Sequence, residues 1–119
     1  KERRLLKRKD FRLAYDTGTP YRNAGFHLFV RRREDGEAPT RLGLTTPRSV
    51  GKSHTRNQLR RWAREFFRLH RAFVPDGYDL VLNFHAGLAA QSHHEFDRLL
   101  EHVLRKAEIL DDRPHPRAD

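Results

Sequence analysis

The hydrophobic and polar positions of the chain mark alternating helical and extended stretches, with no internal repeat. Phe11, Ala14 and Tyr15 recur at helical spacing, and Gly18 is expected to stop that helix. In GFHLFVRR (25–32), Phe26, Leu28 and Val30 share one face while His27 and Phe29 share the other, the period of a strand. The turn-like REDGEAP follows and RLGLTT (41–46) resumes an extended pattern, so these two strands are expected to form a hairpin. Pro47, Gly51 and the cap-type Ser53 and Thr55 lead into a long helix, HTRNQLRRWAREFFRLHRAF, which Pro75 and Gly77 end. YDLVLNFH (78–85) reads as another strand. Ser92 with Glu95 is a capping-box signal, and Phe96, Leu99, Leu100, Val103 and Leu104 line a final amphipathic helix. We therefore expect one domain over 1–110 and a flexible tail over 111–119; periodicity leaves open which sheet face is the core.

Composition narrows the class. At 119 residues the chain fits a single domain with a modest core. Cysteine is absent, which excludes disulfide scaffolds and thiolate metal sites and is compatible with a reducing cytosol. No apolar run approaches the roughly 18 residues that span a bilayer, and the basic start leads into no signal-peptide core, so a cytoplasmic protein is expected. The chain begins at Lys1, and a native N-terminal segment is expected to precede it. Lys and Arg number 25 against 16 Asp and Glu, leaving +9, a surplus suited to a polyanion through phosphate contacts and counterion release. An anionic membrane competes as partner, but it would need a basic helix whose apolar face is free.

The charge is concentrated on the long helix. At about 100° per residue, Leu59, Trp62, Phe66, Leu69 and Phe73 fall within a sector of roughly 80°, while Asn57, Arg60, Arg61, Arg64, Arg68 and Arg71 fall opposite. A solvated face normally mixes signs, as the final helix does with Asp97, Arg98, Glu101, Arg105, Lys106 and Glu108. The arginine sector holds no acid, and its like-charge neighbours each cost a few tenths of a kcal/mol, with only flanking Glu65 to offset them. Such a face matches external phosphates better than water, and arginine adds bidentate contacts and base stacking. The apolar side with Trp62 is read as core, since the strands need a partner layer.

The segment RLGLTTPRSVGKSHTRNQLRRWAREFFR resembles the signature of the bacterial ribonuclease P protein subunit family: an Arg-Asn pair, a two-base step, then Arg-Glu, matched by Arg56, Asn57, Arg60, Arg61, Arg64 and Glu65. Asp10, Phe11, Tyr15 and Gly18, and the GYDLVL strand, are also similar to the family, so the resemblance covers nearly the whole chain. It implies a single-domain α+β fold, a four-stranded sheet packed with about three helices and a left-handed βαβ crossover. It implies a protein that assists a catalytic RNA in cleaving precursor tRNA at its 5′ end. By resemblance, Arg48, Lys52, Arg56, Asn57, Arg60, Arg61, Arg64 and Arg68 would bind the ribonuclease P catalytic RNA, and Phe11, Tyr15 and Phe29 would bind the precursor tRNA leader. Stacking platforms beside a basic groove suit single-stranded RNA, at roughly 1 to 3 kcal/mol per stacked base. The sequence departs from the family at Arg60, where lysine is usual, at Ser49 and Ser53 in place of lysine and alanine, and at His85 in place of arginine.

A protein catalyst is the reading from another class. His93 and His94 are adjacent, so a helix would not aim both at one metal, and no carboxylate cluster, GxSxG nucleophile motif or P-loop is present. No catalytic protein residue, no metal ligand, no small-molecule substrate and no membrane partner are expected; magnesium is expected only with the partner RNA. A ribosomal or general RNA-binding protein shares the composition but not the motif.

Overall fold

The structure is a computed structural model, and it describes residues 7–34, 36 and 38–112. Its elements run α1 (Arg8–Thr17), β1 (Thr19–Arg22), β2 (Phe26–Arg32), β3 (Arg41–Thr45), α2 (Ser53–Leu69), β4 (Tyr78–Phe84) and α3 (His93–Lys106). Both ends of the sequence reading, the charged start at 1–6 and the expected tail from 113 on, lie outside the described residues.

One sheet in the order β1-β2-β4-β3 organises the chain. The expected hairpin between 25–32 and 41–46 is not formed. Strand β2 instead pairs antiparallel with β1 on one side and with β4 on the other, and β3 joins the far edge of β4 in parallel. The physical reason is burial. The β4 strand YDLVLNF is the best-buried of the four, with Asp79 and Val81 covered on one face and Leu80, Leu82 and Phe84 on the other, so it takes a central place, and local pairing of β2 with β3 gives way. The hairpin that does form uses β1, TPYR, which is too short and polar to stand out by periodicity. Its turn is tied by Asn23, whose Oδ1 accepts the N–H groups of Gly25 and Phe26 and whose Nδ2 donates to the Leu99 carbonyl at 2.8 Å. Parallel β3 and β4 are joined by a crossover through α2.

The even-numbered sheet face is the main core. Phe26, Leu28, Leu80, Leu82 and Phe84 are buried there beneath Leu59, Ala63 and Phe66 of α2 and Phe96, Leu100, Val103 and Leu104 of α3. Phe26 and Phe96 meet edge to face at 5.3 Å, and each also meets Phe84. The buried side of α2 is turned by about 40° from the expected sector, towards Ala63 and Phe67. Leu69 is consequently 61% exposed, against expectation, and Arg56 and Arg60 are half-buried at the other margin. The helix also ends earlier than its pattern: Arg71–Phe73 form a separate 3-10 turn. Neither Ser53 nor Thr55 caps α2; Lys52 holds that position without a side-chain bond. Ser92 does cap α3, accepting from the Glu95 N–H at 3.1 Å, but the Glu95 carboxylate turns to Arg98. Past α3, Ile109 and Leu110 are buried and the Asp111 N–H donates to the Phe73 carbonyl.

The opposite sheet face carries α1 and an ionic cluster. Asp79 is fully buried; it accepts from Arg41 at 2.9 Å through both oxygens and from Arg31 at 3.2 Å, with Arg33 at 3.8 Å. Arg41 also reaches Asp10 of α1 at 3.5 Å. Before β4, Gly77 has φ +96 and a Cβ there would lie 2.4 Å from the Gly36 carbonyl oxygen, so only glycine fits. Replacing Asp79 by asparagine removes one charge while leaving its arginines in place, and we expect a loss of about 3 to 5 kcal/mol in urea unfolding; a loss below about 1 kcal/mol would show that solvent already screens the cluster.

Candidate nucleic-acid interface

Two surfaces carry the side chains singled out by sequence. The first is the outer face of α2 with the residues that lead into it. Arg61, Arg64 and Arg68 are exposed along the helix, and Arg48 and Lys52 are exposed just before it. No acid lies in the first turn of α2. The N-terminal end therefore presents helix N–H groups beside cations, a combination that attracts anions.

Individual side chains on this face differ in freedom. Arg56 bends back over the helix start, Nε donating to the Gly51 carbonyl at 3.1 Å and Nη2 to Ser53 Oγ at 3.4 Å. Arg60 donates to Asn57 Oδ1 at 2.7 Å, which orients its guanidinium one turn along the helix. Arg68 pairs with Glu65 through Nε at 3.1 Å, and this bond, ahead of any coulombic effect, holds the Glu65 carboxyl below its ordinary range. Trp62, between Arg61 and Arg64, points inward: it stacks on His93 of α3 at 4.3 Å and meets Phe96 edge-on at 5.4 Å.

The second surface lies where α1 crosses the odd-numbered sheet face. Ala14 and Val81 are buried there, with Phe11 and Phe29 packed against them. Tyr15 is 39% exposed and meets Phe29 edge-on at 4.9 Å. Its hydroxyl donates to Asn83 Oδ1 at 2.8 Å and lies 3.3 Å from Thr45 Oγ1. Phe11, Tyr15 and Phe29 are thus brought together, with Phe11 and Phe29 half-buried and Tyr15 the more exposed.

Sequence reasoning did not single out Asn83, Thr45 or Arg22 for this face. The alternation of β4 and β3 places Asn83 and Thr45 opposite each other, on the side of Val81, so strand periodicity was the available signal. Arg22 could not be found this way because β1 itself was missed; its register places it beside His27. The two surfaces meet at the end of β3, since Thr45 under Tyr15 runs directly into Arg48 and Lys52 before α2.

Among the described residues no group of three or more His, Asp or Glu side chains is placed to hold a metal ion. Nor is any helix among them long and apolar enough to cross a membrane. The side chains that the two surfaces do bring together are guanidinium groups, a type that pairs with phosphates, and aromatic rings, a type on which bases stack.

Known proteins share this fold. The model of one family, Ribonuclease P, matches residues 1–108. The ribonuclease P protein component of Thermotoga maritima is 38% identical over 79 residues, 66% of this chain and 66% of that relative. The component of Desulfovibrio desulfuricans is 35% identical over 105 residues, 87% of this chain and 81% of the relative. Among solved structures, the Thermotoga maritima RNase P protein superposes with a TM-score of 0.77 at 31% identity, covering 87% of this chain and 96% of that one. The Staphylococcus aureus RNase P protein gives a TM-score of 0.86 at 24% identity, covering 93% and 100%, a likeness of fold.

The hydroxyl network on the second surface is testable without a ligand. Tyr15→Phe keeps the ring on Phe29 and removes the bond to Asn83, so urea unfolding should report a loss of about 0.5 to 1.5 kcal/mol. An unchanged stability would show that water replaces the tyrosine hydroxyl at no cost.

Proposed function

The chain belongs to the ribonuclease P protein family, and on that premise we propose that it is the protein component of an RNA-based endoribonuclease that matures the 5′ end of tRNA. In this reading the outer face of α2, with Arg48 and Lys52, holds the catalytic RNA, and the α1 face takes the single-stranded leader of precursor tRNA. Cleavage is the work of the RNA and its magnesium ions; the protein contributes no catalytic group and acts by binding and positioning, in the cytoplasm where tRNA is processed.

The observation that carries the reading is the division of labour between the two surfaces. Exposed arginines line α2, whose first turn holds no acid, while partly exposed rings lie on α1 and β2, on the other side of the sheet. A duplex or structured RNA is held through its phosphates, and a single strand offers unstacked bases to aromatic rings. A general RNA-binding protein would need only the first surface.

Three outcomes follow from this assignment. RNA affinity should fall steeply with salt, and Arg60→Ala or Arg64→Ala should each lower the logarithmic salt slope by about 0.7 to 1; unchanged slopes in both variants would remove these arginines from the interface. The purified protein without RNA should leave precursor tRNA intact, while adding it to a ribonuclease P RNA at low magnesium should stimulate cleavage beyond a generic basic protein. Tyr15→Ala should cost about 1 to 3 kcal/mol in binding precursor tRNA by the holoenzyme and much less for leaderless mature tRNA. Equal losses for the two substrates, in a variant whose circular dichroism is native, would place the leader elsewhere.

A further inference from the structure

Beside the Tyr15 and Phe29 rings lies a third ring, that of His27. His27 is half-buried, with its imidazole 4.4 Å from Phe29 and tilted by 38°. Tyr15, Phe29 and His27 thus form a continuous run from α1 across β2 towards β1. Arg22 of β1 and Asn83 of β4 flank His27 in register, and the Asn83 amide donates to the His27 carbonyl at 3.3 Å. His85 follows at the end of β4.

The charged surroundings of this ring are one-sided. Burial is the first cause that lowers the basicity of His27, followed by Arg22 and then His85. Its other neighbours are Phe29 on its own strand, Asn83 on β4 and, beyond Phe29, Tyr15 on α1. No carboxylate contributes to the balance at this ring.

We propose that His27 is an RNA-contacting residue of the leader surface, a stacking ring that takes up a proton when a phosphate of the docked strand comes to rest beside Arg22. The inference rests on the assignment of the α1 face to the leader. The proton comes from solvent and adds to the free ring nitrogen, giving an imidazolium held between the phosphate and the Phe29 ring. A phosphate anion cancels the repulsion from Arg22 and His85 and attracts the charged ring directly, so the bound state favours protonation. Linkage then fixes the sign. Leader affinity is flat above the bound-state pKa of His27, rises as the pH falls between the bound and free values, and levels off below the free one. The free value lies below the ordinary 6.5, so the rise reaches its plateau on the acid side of 6.5.

The test uses the full chain and a short single-stranded RNA of leader length. Ring resonances of the histidines are titrated by NMR with and without saturating RNA, His27→Gln identifying the signal, and affinity is measured by fluorescence anisotropy from pH 5.5 to 8. The His27 midpoint should move up on binding. Each unit of that movement should add at most about tenfold to the affinity gained on acidification, a gain that His27→Gln lacks. A midpoint that stays put with RNA bound, or an equal pH response in His27→Gln, overturns the proposal. Tyr15→Ala in the same assay separates the two levels: if it leaves binding intact, the leader surface and the role of His27 fall together. If it weakens binding while His27→Gln behaves as wild type, only the role of His27 falls.

Discussion

The buried carboxylate of Asp79 is the interaction on which the sheet and its α1 face depend. It sits on the central strand, accepts from Arg41 on β3 and Arg31 on β2, and is approached by Arg33 beyond β2, so one anion ties the sheet together across β4. Arg41 passes the connection to Asp10 and so to α1. A lone carboxylate in that place would carry a desolvation cost of several kcal/mol; surrounded by cations it is compensated, and the cations in turn depend on it. The cluster gives α1 an electrostatic anchor at its start, while Ala14 on Val81 supplies the apolar contact one turn later. Those two attachments decide where Tyr15 meets Phe29.

The same cluster changes how the positive charge should be counted. Arg31, Arg32 and Arg33 look like a phosphate-binding run. In the fold Arg31 and Arg33 attend Asp79, and Arg32 lies over the Tyr78 ring at 5.6 Å. Similarly, Arg105 pairs with Glu101 and Asp112, and Arg98 with Glu95. What remains for a polyanion lies on α1, where Arg8, Lys9 and Arg12 are exposed, and along α2 with the residues before it. There the like charges cost stability in the free protein, a cost that phosphates would relieve. On the sheet's other side the aromatic rings share α1 and the sheet with Arg8, Lys9, Arg12 and Arg22, a combination of rings and cations that suits a single strand read by stacking.

Much of the molecule was legible in the sequence because its periods are strong. The long and final helices, the two seven-residue strands, the Ser92 cap and the separation of arginines from apolar residues on α2 all follow from local spacing, and the signature around Arg56 to Glu65 pointed to the family. Pairing was not legible. A strand pattern states which residues share a face but not which strand lies alongside, so the expected hairpin yielded to a sheet in which β4 separates β2 from β3. The core margin of α2 was misplaced for a related reason: α3 and the sheet, not the helix itself, decide which side is covered, and this left Leu69 exposed and drew Arg60 inward.

For the candidate site, the sequence by itself determined the kinds of group available, arginines in helical register and aromatic residues at the spacing of α1 and β2. Only the tertiary structure decided their company. Tyr15 and Asn83 are 68 positions apart and Tyr15 and Thr45 are 30 apart, and contacts of that range depend on how sheet order and helix docking close the chain. The placing of Arg22 beside His27 depends on a short polar strand that acquires its structure from its neighbour. Local preference sets the elements because it acts over a few residues; the site arises between elements, where burial and buried charge are settled by the chain as a whole.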